Sequence, residues 1–195
     1  GDVGTFSFFP GKNLGAYGDA GSAITNDTSL ANKMRRFANH GALIKHQHSI
    51  EGINSRLDGI QAAILSVKLK HIQKWTTQRI KNALIYDEML KEVPGLKIPK
   101  VQLESKHVFH LYVIQVDGRD ALKLYLKENG ISSAIHYPVP LPFMEAYRYL
   151  NYEAVDFPNM ELIKNKILSI PMYPELNREN LDYITKHIIK FLKSY

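Results

Sequence analysis

The chain contains no cysteine, and the usual signals of several protein classes are missing with it. Without cysteine there are no disulfide bonds and no metal sites built on thiolates, which fits a cytoplasmic protein. No apolar run reaches about 18 residues, so the sequence predicts no membrane-spanning helix. No basic segment followed by an apolar one opens the chain, so it predicts no secretory signal. We therefore expect a cytoplasmic protein that does not engage a membrane.

Two common nucleotide-binding motifs are also missing. The pair Gly11-Lys12 resembles the end of a phosphate-binding P-loop. That motif requires glycine where Phe6 stands and serine or threonine where Asn13 stands. No G-x-G-x-x-G segment occurs, so the dinucleotide-binding fingerprint is absent.

The positive charge of the chain does not by itself indicate nucleic acid as a partner. The formal net charge is +6 and the pI is about 9.3. The basic residues are spread out, however, and a typical series lies along one predicted helix: Lys68, Lys70, Lys74, Arg79 and Lys81. A solvated helix face explains this series, and a positive field also favours small phosphate-bearing ligands. We predict no nucleic-acid partner.

Lys12 is the most informative residue present. It follows Pro10-Gly11 after a strand-like segment and precedes three further glycines within nine residues. Glycine permits close backbone approach, so the segment reads as a loop shaped around a small group. A lysine held there can be partly desolvated, which suits a nucleophilic amine that forms a Schiff base. An ordinary surface lysine in a turn is the competing interpretation.

Several ordered motifs resemble one enzyme family. The segment Gly4 to Lys12 is similar to the lysine segment of the nucleotide-sugar aminotransferases of the DegT/DnrJ/StrS group. These are enzymes of aspartate-aminotransferase fold that depend on pyridoxal 5'-phosphate. The remaining matches follow in collinear order: Gly52 to Asp58, Gln61-Ala62-Ala63, Arg79, Tyr86, His136-Tyr137-Pro138, Ala146-Tyr147 and Leu168 to Met172.

The resemblance implies roles for six residues. Lys12 would carry pyridoxal phosphate as a Schiff base, and Ser7 would bind the cofactor phosphate. Asn54 would reach the phosphate in the site of a neighbouring subunit, which makes a homodimer with shared active sites. The substrate would contact three residues: Arg56, His136 and Tyr137. A plain strand serine at Ser7, helix capping by Asn54 and an ion pair between Arg56 and Asp58 are the alternatives.

The resemblance also fixes the expected fold class, which is α/β. Residues 1–100 would form the C-terminal part of the large cofactor-binding domain with a long linking helix. Residues 101–195 would form a small α+β domain. The family carries a large portion before its lysine, including the acidic partner of the pyridine nitrogen, so we expect this chain to be the C-terminal half of a longer enzyme.

Histidine pairs do not indicate a metal site. His46 and His48 lie two residues apart in a predicted loop, and His107 and His110 lie three apart near a predicted strand. A zinc site needs convergent ligands, usually with carboxylate or thiolate support, and the sequence shows none beside them. We predict no metal.

The periodicity predicts the elements themselves. Strands are predicted over 5–9, 22–25, 108–116, 131–136 and 168–172. Helices are predicted over 30–39 with Thr28 as N-cap, 119–129, 144–150 and 160–166, with one long or two shorter helices between 57 and 93 and a last helix capped by Asn177. Residues 42–53 show no clear period and are predicted to be a loop.

The resulting hypothesis is an aminotransferase that moves an amino group from glutamate to a nucleoside-diphosphate keto sugar, with a keto-6-deoxyhexose as the expected type. The loop Gly18-Asp19-Ala20-Gly21 resembles members that act on 3-keto-6-deoxy sugars. Sugar dehydratases of the same family replace the lysine with histidine, so Lys12 argues against that activity. A non-catalytic binding or regulatory module with the same fold is the alternative from another class.

Overall fold

The computed structural model describes residues 1–194, which separate into two compact units. The first unit runs from Gly1 to Gln73, and the second begins at Lys74. The mixture of helices and strands agrees with the predicted α/β class. The predicted domains, which divide at residue 100, stay a prediction.

The first unit opens with an antiparallel pair of strands around the lysine segment. Strand β1 (Gly4–Ser7) pairs with β2 (Gly21–Ile24), and residue Gly4 lies opposite Ile24 while Ser7 lies opposite Gly21. Both strands were predicted at this place. The pairing brings the two ends of the lysine loop together.

Helix α1 spans Thr28–Ala38, so Thr28, the predicted N-cap, is instead the first residue of the helix. Asp27, not Thr28, is the N-cap, because its Oδ1 accepts a hydrogen bond of 3.0 Å from the backbone N–H of Leu30. That contact satisfies one of the free N–H groups of the first turn. The prediction of Thr28 as the cap was therefore wrong by one position.

Residues 42–53 were predicted to be a loop, and this prediction was wrong in part. Strands β3 (Ala42–Ile44) and β4 (Gln47–His48) form a short antiparallel hairpin. His46 turns the chain with a φ of +67°. The turn contains none of the Asn-Gly or Asp-Gly pairs that mark hairpins in a sequence, so nothing local indicated it.

Two helices occupy the long apolar-periodic region. Helix α2 (Gly59–Leu69) ends one turn before helix α3 (Ile72–Leu90) begins. The sequence left open whether one helix or two would form, and the structure shows two. The break lies at Lys70 and His71, and the N–H of His71 bonds to the carbonyl of Lys68 at 2.9 Å.

The second unit is built on a three-stranded antiparallel sheet of order β5-β6-β7. The strands are β5 (Leu96–Lys97), β6 (Tyr112–Val116) and β7 (Ile167–Ile170). The accompanying helices are α4 (Arg119–Glu128), α5 (Pro158–Ile163) and α6 (Arg178–Ser194). Its core consists of fully buried apolar side chains: Tyr86, Leu90, Tyr112, Ile114, Leu122, Leu126, Leu168, Leu181 and Ile188.

Two predicted elements of this unit are replaced by simpler structure. The strand expected over 131–136 is reduced to a single bridge between Ala134 and Ser169. The helix expected over 144–150 is a 3₁₀ segment, Glu145–Leu150, flanked by two shorter 3₁₀ turns. A segment this short that buries no side chain gains too little from packing to offset the unfavourable start of an α-helix.

The predicted cap of the last helix is confirmed. Asn177 caps α6, since its Oδ1 accepts a hydrogen bond from the N–H of Asn180 at 2.8 Å.

Two buried tyrosines carry polar contacts within this core. The Tyr112 hydroxyl donates to Asp87 Oδ1 at 2.5 Å, and the Tyr86 hydroxyl donates to the carbonyl of Pro171 at 2.9 Å. Their ring centroids lie 4.9 Å apart. Burial raises the pKa of both phenols, and the hydrogen bond to Asp87 raises the pKa of Tyr112 further.

These tyrosines predict a loss of stability at alkaline pH. An unfolded tyrosine has a pKa of about 10, and the folded pKa is raised above it. The contribution to stability is therefore intact below pH ~10 and is lost as pH rises toward the folded pKa. In Tyr112→Phe, we expect a shallower fall of the urea unfolding midpoint above pH ~10. At pH 7 the same variant should lose about 1.5–3 kcal/mol, because the charged partner of the hydroxyl is left without it.

Tyr149→Phe is the matched control, because Tyr149 is 73% exposed. Its midpoint should follow that of the unchanged protein from pH 7 to pH 11. If Tyr112→Phe shows the unchanged protein's alkaline slope, the account of the buried phenol is wrong.

Candidate active site

Residues 8–20 connect β1 to β2 as a compact loop that carries Lys12. The N–H of Phe8 donates to the carbonyl of Ala20 at 2.8 Å, and the N–H of Ala16 donates to the carbonyl of Phe8 at 2.8 Å. A third backbone bond, from Lys12 N–H to the Phe9 carbonyl, measures 2.9 Å and tightens the turn at the lysine. Lys12 itself is half-buried.

Gly15 allows the loop to close. A Cβ at this position would lie 2.3 Å from the carbonyl oxygen of Pro10, closer than any real contact. The atoms that this Cβ would meet belong to the backbone of Pro10 and Phe9 and cannot turn away, so a side chain at Gly15 would force the loop open. The glycine that the sequence analysis placed after Lys12 is thus required by close approach.

Helix α2 holds this loop through two side chains. The Gln61 Oε1 accepts from the N–H of Tyr17 at 2.8 Å, and a Cβ at Gly18 would lie 2.9 Å from Gln61 Nε2. Lys68 Nζ donates to the carbonyl of Gly15 and lies 5.2 Å from the centroid of the Tyr17 ring. These two contacts fix the loop's far end in position.

Neither role is predicted by the sequence, in which Gln61 is only part of a motif and Lys68 was expected on a solvated helix face. The structure shows Lys68 half-buried and bonded to the loop. Glutamine and lysine on a helix carry no local signal of a contact with residues about 50 positions away.

An open cavity of about 1200 Å³ lies beside the lysine loop. Three predicted site residues line it together: Ser7, Asn54 and Arg56. Asp19 and Arg35 also line it, so the wall carries both signs of charge. Lys12 is not among the lining residues. His136 and Tyr137 belong to the second compact unit.

Asn54 and Arg56 lie on the extended segment that leads into α2. Asn54 forms a backbone bridge with Asn39, and Arg56 Nη1 donates to Asn39 Oδ1 at 3.0 Å. Asp58, not Asn54, stands at the N-cap of α2. The alternatives that Asn54 caps this helix and that Arg56 pairs with Asp58 are therefore wrong for residues 1–194.

The donors on the cavity wall suit a phosphate group. Ser7 offers a hydroxyl, Asn54 an amide and Arg56 a forked guanidinium, and all three face one cavity. Hydrogen bonds from such groups to an anionic oxygen are among the stronger ones in proteins. Donors of this kind fit the phosphate of a pyridoxal-type cofactor.

His136 contacts strand β7 in the sheet of the second unit. Its Nδ1 lies 2.8 Å from the Oγ of Ser169, and its ring meets the Tyr137 ring edge-on at a centroid distance of 5.4 Å. Tyr137 is 63% exposed and lines a separate apolar cavity of about 240 Å³.

His48 and His107 make contacts with residues close to them in the sequence. His48 Nδ1 lies 2.8 Å from the carbonyl of His40, and His107 Nδ1 accepts from the N–H of Phe109 at 3.0 Å. Within residues 1–194, no cluster of three or more histidine, aspartate or glutamate side chains has the geometry of a metal site. Over the same residues, no helix combines the length and the apolar character needed to cross a membrane.

A sequence profile described as the DegT/DnrJ/EryC1/StrS aminotransferase family matches residues 1–189. The chain belongs to this family. The match confirms the resemblance that the ordered motifs indicated, from the lysine segment into helix α6. Pyridoxal phosphate is the cofactor of this family, so the predicted cofactor is confirmed at the level of the family.

Curated relatives match along nearly the whole length of the chain. The "Pleiotropic regulatory protein" of Geobacillus stearothermophilus is 44% identical and is matched over 100% of this chain and 53% of its own. The "dTDP-3-amino-3,4,6-trideoxy-alpha-D-glucose transaminase" of Streptomyces venezuelae is 38% identical over 90% of this chain and 46% of its own. The chain thus spans about half the length of the curated relatives it matches.

Solved structures of the family share the fold of the chain. DesV of S. venezuelae, in complex with a ketimine intermediate, superimposes with a TM-score of 0.91 and 34% identity, over 98% of this chain and 52% of its own. NtdA of Bacillus subtilis, with bound cofactor PMP, gives a TM-score of 0.87 and 28% identity over 98% of this chain and 46% of its own. The transferase fold predicted from the resemblance is confirmed.

Proposed function

We propose that the natural protein containing this chain transfers an amino group from glutamate to a keto sugar linked to a nucleoside diphosphate. The observation that carries the proposal is the family match over residues 1–189, with Lys12 intact in its loop. The cavity beside the lysine loop supports it, because Ser7 offers a hydroxyl and Arg56 a guanidinium, and such donors suit the phosphates of the cofactor and of a sugar nucleotide.

The relatives support a particular type of substrate. Five of them are named as aminotransferases of dTDP- or UDP-linked sugars, and each name places the amine or the keto group at carbon 3. The Gly18 to Gly21 loop resembles that of family members acting on 3-keto-6-deoxy sugars, which agrees with these names. We therefore propose a nucleoside-diphosphate 3-keto sugar as the amine acceptor.

Each site residue has a proposed role. The amine of Lys12 attaches the cofactor covalently, and Ser7 of the same chain binds its phosphate together with Asn54 of the partner subunit. Bound pyridoxal phosphate supplies the electron sink for the reaction. Once released, the Lys12 amine holds and moves a proton at the substrate carbon, as a general acid and base. Arg56, His136 and Tyr137 bind and orient the sugar nucleotide.

We further propose a homodimer in which Asn54 serves the partner's site. Asn54 is exposed in the first unit, as are several large apolar side chains of the same unit. Ile24 on β2 and both Ile60 and Val67 on α2 are more than half exposed. Contact with a second protein surface would remove these apolar side chains from water, which is favourable.

The test uses the purified natural protein with its cofactor. Glutamate alone should abolish the visible absorbance band of the lysine-bound cofactor. It should also release one equivalent of 2-oxoglutarate per site. A dTDP- or UDP-linked 3-keto sugar should then restore the band and yield the amino sugar, detected by mass spectrometry. A protein without the band, or with a band that neither substrate changes, contradicts the proposal.

A regulatory binding module is the second candidate. The observation in its favour is that the relative at 44% identity is named a pleiotropic regulatory protein and one at 39% a sensory transduction protein. This function requires ligand binding without turnover. Release of 2-oxoglutarate together with formation of an amino sugar would contradict the regulatory module and support the aminotransferase.

A further inference from the structure

Ser169 makes a buried contact with the ring of His136. Ser169 lies in β7 and is 4% exposed, and its Oγ is 2.8 Å from His136 Nδ1. Two backbone bonds fix the same place: Ala134 N–H donates to the Ser169 carbonyl at 3.0 Å, and Ser169 N–H donates to the Ala134 carbonyl at 2.7 Å. His136 therefore lies two residues after Ala134, whose backbone is bonded to Ser169, and its ring contacts the Ser169 hydroxyl.

The direction of this hydrogen bond follows from the hydroxyl's single proton. Within residues 1–194 the histidine ring is the only hydrogen-bond partner of Ser169 Oγ. A buried O–H without an acceptor pays the full desolvation cost, whereas an oxygen lone pair left unused costs less. The Ser169 hydroxyl therefore donates, and His136 Nδ1 accepts. The neutral ring must then carry its proton on Nε2.

We propose that Ser169 is a positioning residue that holds neutral His136 in the Nε2–H tautomer, so that this nitrogen presents a hydrogen-bond donor to the sugar nucleotide. The proposal rests on the proposed function, because it assigns the ligand of His136. The charged imidazolium also donates from Nε2, so the donor persists in both protonation states. The ligand atom it selects is an oxygen that accepts, from the keto group, a hydroxyl or a phosphate.

The surroundings of His136 suit a small-molecule contact. The Nε2 has no hydrogen-bond partner within residues 1–194, which leaves it available. Beside it, Tyr137 begins the wall of the apolar cavity, which continues through Val139, Leu141 and Met160. His136 precedes this wall by one residue and does not line the cavity, whose polar groups are those of Tyr137 and Lys164. An apolar cavity with a few polar groups is typical of sites that recognise small ligands.

The tautomer is measured directly in the natural protein labelled with ¹⁵N-histidine. Long-range ¹H–¹⁵N correlation spectra distinguish the two tautomers, and His136→Gln identifies the His136 signals by their loss. We expect the Nε2–H pattern in the unchanged protein. Ser169→Ala should give averaged shifts of a mixed tautomer, and Ser169→Thr, which keeps the hydroxyl, should restore the single pattern.

Ser133→Ala is the matched control. The Ser133 Oγ is buried and forms no hydrogen bond within the described residues, so its removal changes the same atoms without touching His136. Its spectrum should equal that of the unchanged protein. A proton on Nδ1 in the unchanged protein overturns the proposal without any variant, and so does a Ser169→Ala spectrum identical to that of the control.

A kinetic arm separates this proposal from the proposed function. Loss of the fixed donor should raise the KM for the sugar nucleotide about three- to tenfold in Ser169→Ala, with kcat and the glutamate half-reaction nearly unchanged. A mixed tautomer with an unchanged KM overturns the assigned contact with the sugar while transamination itself stands. An Nε2–H tautomer in a protein without transaminase activity contradicts the proposed function instead.

Discussion

Lys12→Ala in the natural protein is expected to lower turnover by at least about 10³-fold, because it removes both the point of attachment and the general acid–base. Borohydride should no longer trap a covalent cofactor adduct on the chain. The fold should survive, since the loop is held by backbone bonds and by Gln61 rather than by the Lys12 side chain. Lys12→Arg should fail equally, because guanidinium stays protonated and is no nucleophile.

Lys123→Ala is the control for this variant. Lys123 is an exposed residue of α4 in the second unit, so activity and adduct should match those of the unchanged protein. Mass spectrometry of the trapped adduct, read beside the turnover rate, checks the result. Normal transamination by Lys12→Ala would remove this residue from the site altogether.

Mixing two inactive variants is expected to restore activity if Asn54 serves the partner's site. Asn54→Asp places a negative charge against the cofactor phosphate, which should weaken cofactor binding strongly. After subunit exchange with Lys12→Ala, half of the dimers are mixed, and each mixed dimer holds one intact site of two. About a quarter of the unchanged activity should therefore return.

Asn32→Asp is the matched control for the added charge, because Asn32 lies on α1 of the same unit and does not line the cavity. It should remain active alone. Subunit exchange is confirmed with two affinity tags. A mixture that exchanges and stays inactive shows that Asn54 acts within its own chain or outside the site.

Two residues that the motifs singled out are structural within the described chain. Arg79 Nη1 donates to three backbone carbonyls, at 3.1 Å to Phe109, 3.2 Å to His110 and 2.8 Å to Met172. Tyr86 donates to the carbonyl of Pro171. The motifs indicated that these positions matter, but only the fold shows that they join α3 to the segments around β6 and β7.

The sequence by itself determined the lysine loop, most of the helices and the family. Each rests on short-range information: the glycines around Lys12 set a tight turn, and the apolar spacing of α4 and α6 sets their buried faces. The sequence also placed Asn54 and Arg56 on one extended segment, where an alternating backbone directs both to the same side.

The tertiary structure alone decided which side chains support those residues. Gln61 lies 44 positions from Tyr17, Lys68 lies 53 from Gly15, and Ser169 lies 33 from His136. A polar residue on a helix or a buried strand has no local pattern that names its distant partner. Its hydrogen bond forms only after packing has brought the two segments together and removed water from the contact, so the partner is a property of the fold.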